Sequence, residues 1–231
     1  MKLFKTAVLL IFLSLSASVY ADALWDSAVN IYGKNRDNKP NPKSAYILME
    51  SGAPGGKSSK NEVWEEYKYE SGKPYHRILK VMKNGVEQPI PDAAKDKWSP
   101  VKDKKSAKKE DYKSIADIFY SPQQKNVKYQ RTGKSKTVYG KNCIEYSFIF
   151  MKNSKGKKET TLGKAYLDDE TGAPYEIRRH NTSRYMKGSP DSFVMFTYDG
   201  KTLYPVHALL IMNINFFGKK LDMKTECKME Y

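Results

Sequence analysis

Lys219-Lys-Leu-Asp-Met-Lys-Thr-Glu-Cys-Lys-Met-Glu-Tyr231 alternates along its whole length. Leu221, Met223, Thr225, Cys227, Met229 and Tyr231 share one side of an extended chain, and Lys220, Asp222, Lys224, Glu226, Lys228 and Glu230 share the other. Successive side chains of a strand point to opposite faces. The segment therefore predicts an antiparallel strand with one dry and one wet face. The same period recurs upstream. Tyr204, Val206, Ala208, Leu210, Met212, Ile214 and Phe216 fall on one side of 202–216, while Leu209 and Ile211 fall on the other. In 143–152, Ile144, Tyr146, Phe148 and Phe150 line up together.

Everything after Asn126 reads as sheet, with strands expected over 126–131, 135–139, 143–152, 158–168, 174–183, 191–198, 202–216 and 219–231. Gly133-Lys134, Gly140-Lys-Asn142, Asp168 to Gly172 and Asp199-Gly200 mark turns between them. Strands are also expected over 44–50, 62–70, 75–82 and 86–90. The loop 51–60 joins the first two, and Asn84-Gly85 makes a tight hairpin between the last two. Residues 22–33 read as a helix with Leu24, Ala28 and Ile31 on one apolar face and Trp25, Val29 and Tyr32 beside it, Asp22 as cap and Gly33 as stop. Between Lys95 and Lys109 lie seven lysines and little that is apolar, an exposed loop feeding a second helix over 106–119 that ends at Pro122. The expected fold is mainly β with some α: one domain over 22–231, a meander of about ten or eleven strands with two helices. A sheet of that size must curl, and its inner face then needs filling.

Residues 1–21 carry the three parts of an export leader: Lys2 and Lys5, the apolar run Ala7 to Leu15, and the small-residue site ending at Ala21. The expected mature chain begins at Asp22 in an oxidising compartment outside the cytoplasm, the periplasm. Nucleotide-driven chemistry and nucleic acid are poor fits there. Without the leader's two lysines, 39 basic groups face 26 acidic ones, a net charge of +13. That charge favours anionic lipid headgroups, lipopolysaccharide or acidic polymers, or simply keeps an exported chain soluble.

No motif in the chain specifies catalysis. Gly52 to Ser59 imitates a phosphate loop, but Ser51 stands where its first glycine is needed. His76, His180 and His207 are scattered, with His76 and His180 expected on wet faces, and no spacing suits a metal. Glu65-Glu66 and Asp168-Asp169 read as solvated or turn carboxylates. Calcium-loop spacing and a Gly-x-Ser-x-Gly elbow are missing, so no enzyme activity and no cofactor are expected. Asn181-Thr-Ser183 fits a glycosylation acceptor only in a eukaryotic source. Cys143 and Cys227 are a candidate disulfide for an oxidising compartment. Parity argues against it, since Cys227 shares the dry face while Cys143 alternates with Ile144; a bulge near Gly140 would have to reset the register.

Gly163-Lys-Ala-Tyr-Leu-Asp-Asp-Glu-Thr-Gly-Ala-Pro-Tyr-Glu-Ile177, followed by Tyr198-Asp-Gly-Lys-Thr-Leu-Tyr-Pro205 and the closing amphipathic strand, resembles the outer-membrane lipoprotein-sorting (LolA-like) family. The resemblance covers 126–231 best. It implies a strongly curved antiparallel half-barrel with helices on its concave side, and a carrier of lipid or lipoprotein acyl chains across the periplasm. The residues expected to line such a hollow are Tyr146, Phe148, Phe150, Leu210, Met212, Ile214, Met223 and Met229, although each also suits a plain core. The alternative is a non-catalytic envelope module that binds an acidic partner, such as an anionic membrane surface, through Lys102, Lys104, Lys105, Lys108 and Lys109. An inner- or outer-membrane protein is a further candidate partner.

Overall fold

The structure is a computed structural model that describes residues 22–37, 40–71, 73–90, 97–101, 116–154, 157–181, 191–216 and 219–231. Helix α1 (Ala23–Asn35) comes first. The N-terminal strands are β1 (Ser44–Gly52), β2 (Ser58–Glu70), β3 (Lys73–Lys83), β4 (Val86–Glu87) and β5 (Ser99–Pro100). Two 3-10 turns, Asp117–Phe119 and Ser121–Asn126, lead to β6 (Val127–Val138), β7 (Lys141–Ser154), β8 (Lys157–Asp168) and β9 (Pro174–Asn181). The chain closes with β10 (Asp191–Tyr198), β11 (Leu203–Phe216) and β12 (Lys219–Glu230). Twelve strands form one antiparallel sheet in the order β4-β3-β2-β1-β12-β11-β10-β9-β8-β7-β6, with β5 beside β3. It is an open sheet, since β4 and β6 end the path without pairing each other.

Neighbours in sequence are neighbours in space almost throughout, as short turns require. Two pairings depart from this: β5 lies beside β3, and β1 pairs with β12 to join the sheet's two halves, setting Ile47 opposite Cys227 and Ala45 opposite Met229. The Asn84-Gly85 hairpin forms as expected, with φ of +52° and +81°. The strands expected over 126–131 and 135–139 are one strand. Gly133 adopts φ +76° and absorbs the irregularity between Arg131 and Ser135 as a bulge, not a turn. The loop expected over 51–60 contracts to 53–57, because β1 and β2 continue pairing down to Gly52 opposite Ser58.

Asp22 caps α1 as expected, its Oδ1 accepting from the Leu24 and Trp25 amides at 3.1 and 3.4 Å. The helix runs past Gly33 to Asn35, and its buried face is Trp25, Ala28 and Tyr32, not Leu24, Ala28 and Ile31. The larger aromatic side chains turn the helix. Trp25 stacks on Tyr129 with centroids 4.1 Å apart and meets Phe119 at 4.8 Å and Tyr146 at 5.6 Å. Of the helix expected over 106–119, residues 106–115 lie outside the described ones. At 117–119 the chain forms a 3-10 turn, and Pro122 begins the next turn rather than ending a helix.

Registered strand partners point to the same face, so one face can be followed across the whole sheet. On β6 to β11 this face is the core: Tyr146, Phe148, Ala165, Leu167, Ile177, Val194 and Phe196 are buried beneath α1 and the 3-10 turns. Gly163 lets the Phe148 ring lie across it, since a Cβ there would stand 2.3 Å from Phe148 Cζ. The Asn35 side chain pins the helix end to the β10–β11 turn, accepting from the Leu203 amide at 3.1 Å. At the other end, the Tyr146 hydroxyl donates to Asp22 at 2.7 Å.

Candidate functional site

The core face does not stop where the helix does. Ala208 on β11 touches the covered core. Its partner on β12 is Cys227, and the row continues through Ile47 on β1, Val63 on β2 and Val81 on β3. All five side chains are only half-buried. A second row, Leu210–Thr225–Met49, lies beside it, and a third, Met212–Met223–Ser51, beyond that. Met49 is 46% exposed and Leu221, on the same face, 38%. No described residue covers this half of the face as α1 covers the other.

Predicted lining residues are thus split between two environments. Tyr146, Phe148 and Phe150 sit under the helix as packed core, Tyr146 fully so. Leu210, Met212, Met223 and Met229 lie together on the uncovered half. Ile214 is registered to the same face by pairing with Leu221, and its side chain lies outside the described ones. Ile47, Val63 and Val81, not singled out from sequence, complete the surface. Ile47 lies between Tyr46 and Leu48, Val63 between Glu62 and Trp64, and Val81 between Lys80 and Met82, so both strand sides carry apolar residues and the pattern does not say which face meets the core.

One polar cluster interrupts the apolar rows. Glu65 pairs with Ala45 on one side and Ile78 on the other, so its carboxylate points to the apolar face. It was expected to be solvated, yet its side chain is 14% exposed. The Tyr67 hydroxyl donates to Glu65 Oε2, His76 Nδ1 stands 3.5 Å from Oε1, and the Tyr67 and His76 rings are roughly parallel with centroids 6.2 Å apart. His76, expected on a wet face, is on this one. The β3 irregularity that leaves Leu79 without a β2 partner resets the alternation. Burial, then the hydrogen bond to Glu65, pushes the Tyr67 phenol well up. Burial, then the Glu65 charge, pushes the Cys227 thiol up to about 11. Both groups remain partly exposed.

The two cysteines are free. Cys143 pairs with Asp168 on the opposite face from Cys227, and β8 to β11 stand between their strands. No bulge resets the parity at 140–144, so the candidate bridge does not form. Lys102, Lys104, Lys105, Lys108 and Lys109 lie outside the described residues. Among the described residues no three His, Cys, Asp or Glu side chains converge as a metal site requires, and no helix is long and apolar enough to cross a membrane.

Among the described residues hollows also lie away from this face. One of about 700 Å³, lined by Tyr198, Asp199, Tyr204 and Tyr231, borders the β10–β11 turn. Backbone hydrogen bonds from Thr202 and Lys201 hold the Asp199 carboxyl below its ordinary range, so this group is committed to the turn. Another, about 570 Å³, is a shallow depression on the sheet's opposite face over Leu162, Phe193, Leu209 and Ile211. Its rim side chains are engaged, Lys164 with Glu145, Arg178 with Glu176 and His180 with Asp191.

No family model matches the chain, and no curated protein does. In structure it is similar to a LolA superfamily protein from Nitrosomonas europaea, with a TM-score of 0.32, 11% identity, and 93% of this chain and 95% of that one covered. It is similar to a DUF1329 family protein from Desulfovibrio piger, with a TM-score of 0.33, 12% identity, and 90% and 92% covered. A domain from Vibrio parahaemolyticus described as outer membrane lipoprotein-sorting stands at a TM-score of 0.31 and 11% identity, with 90% and 92% covered.

Proposed function

We propose that this chain is an exported, non-catalytic carrier or binding protein for an amphiphile, such as a lipid or a lipoprotein acyl chain. The alkyl part is held on the uncovered apolar half of the sheet. The observation that carries this is the row Ala208–Cys227–Ile47–Val63–Val81, which continues the packed core across β12, β1, β2 and β3 without a cover among the described residues. An apolar surface this continuous, on a chain with a net charge of +15, is unexpected in a protein that binds nothing there. Methionines at 49, 212, 223 and 229 suit variable apolar shapes.

Cys227 and Tyr67 are half-buried on this face, neither packed away nor fully in water. That combination supports a hollow, a sheet curved toward this face with α1 on the concave side. Each 100 Å² of alkyl surface removed from water contributes about 2.5 kcal/mol, enough for reversible holding of a chain. The leader-like residues 1–21 support a periplasmic site of action.

The test is native mass spectrometry of protein purified from its own host, followed by lipid extraction. The expected result is co-purified amphiphile in the wild type and its loss in Ile47→Lys and Val63→Asp. Absence of amphiphile from the wild type, together with no uptake of an added twelve-carbon chain, overturns the reading.

A further inference from the structure

We infer that the amphiphile carries an ammonium head, received by Glu65. This rests on the apolar-face reading above and adds the chemistry of the head to it. Along β11, β12, β1, β2 and β3, the described positions of the open face present Glu65 as their one carboxylate. The strands' other acidic side chains, Glu50, Glu62, Glu66, Asp222 and Glu226 among them, pair across to the opposite face.

A carboxylate among Ala45, Ile78 and Cys227 is costly unless its oxygens are satisfied. One oxygen is, by the Tyr67 hydroxyl. Among the described residues the other has His76 Nδ1 beside it, at 3.5 Å, too long for a good hydrogen bond. A protonated amine supplies this oxygen with short N–H donors and a full positive charge. The alkyl chain then runs from Glu65 along the row of Cys227, Ile47 and Val63, since Glu65 and these residues share the face on adjacent strands.

The preference runs against the molecule's overall charge. A chain with 41 basic and 26 acidic groups attracts anions in general, so selection of a cation must come from a local group. Calorimetric titration of the purified chain with dodecylamine, dodecanol and dodecanoate, each below its aggregation concentration, tests this. The amine is expected to bind about tenfold more tightly than the alcohol, and the carboxylate no better than the alcohol. In Glu65→Gln, whose amide oxygen still accepts from Tyr67, the amine's advantage over the alcohol is lost. In Tyr67→Phe the amine keeps its advantage, which separates loss of charge from local repacking.

Equal binding of amine and alcohol by the wild type, or tighter binding of the carboxylate, overturns the ammonium inference and leaves the apolar-face reading standing. Failure of all three chains to bind overturns that reading, and the inference with it.

Discussion

At the scale of single residues, Asp22 and Gly163 do the most with the least. Asp22 caps α1 and accepts the Tyr146 hydroxyl, so one carboxylate ties the helix start to β7. Asp22→Ala is expected to cost about 1–2 kcal/mol by urea unfolding. Tyr146→Phe and Asp22→Ala should also couple in a double-mutant cycle, because they share the bond. Gly163 has no room for a methyl group beneath Phe148, and its Cβ would also stand 2.3 Å from the Arg178 carbonyl oxygen. Gly163→Ala is expected to destabilise by about 1–3 kcal/mol, seen as a lower urea midpoint at unchanged slope. Cys227 reports on the site itself. In the folded protein a maleimide should modify Cys227 and spare Cys143, which is fully buried with its thiol pushed up to about 12 by burial. Bound amphiphile should protect Cys227.

Between elements, what holds the covered half together differs from what holds the strands. Trp25 is the wedge between α1, β6, β7 and the 3-10 turn, and its indole donates to Gln124 at 2.9 Å. Trp25→Ala is expected to cost about 3–5 kcal/mol and to loosen the helix from the sheet, read as faster amide exchange in α1. On the opposite face, β6, β7 and β8 are joined through Glu145. Burial would raise its carboxyl, but hydrogen bonds from Tyr166, Lys164 and Thr132 hold it below its ordinary value of 4.5. A carboxyl lowered in the folded state contributes stability that is fully present above pH 4.5 and lost as pH falls through the folded value. Thermal midpoints from pH 7 downward should therefore fall in the wild type below pH 4.5, and fall less steeply there in Glu145→Gln. The rewards of these contacts are local, and the residues that make them were partly legible in advance. The Asp22 cap, the Asn84-Gly85 turn and the Ile144–Phe150 stripe all follow from short-range pattern.

For the whole molecule, the question is which part of one long apolar face is shut. Alternation in β7, β11 and β12 determined that the strands are antiparallel and one-sided, because a period of two survives whatever the strand pairs with. The turn residues determined where most strands end, since φ above zero is a local demand. Tertiary structure alone decided that β1 joins β12, that α1 covers β6 to β11 while no described residue covers β12 to β3 in the same way, and that Glu65 and His76 point to the apolar side. Those outcomes turn on contacts between residues far apart in the chain and on one unpaired residue in β3. A single extra residue reverses every later side chain, and no local pattern records that reversal until the partner strand is in place.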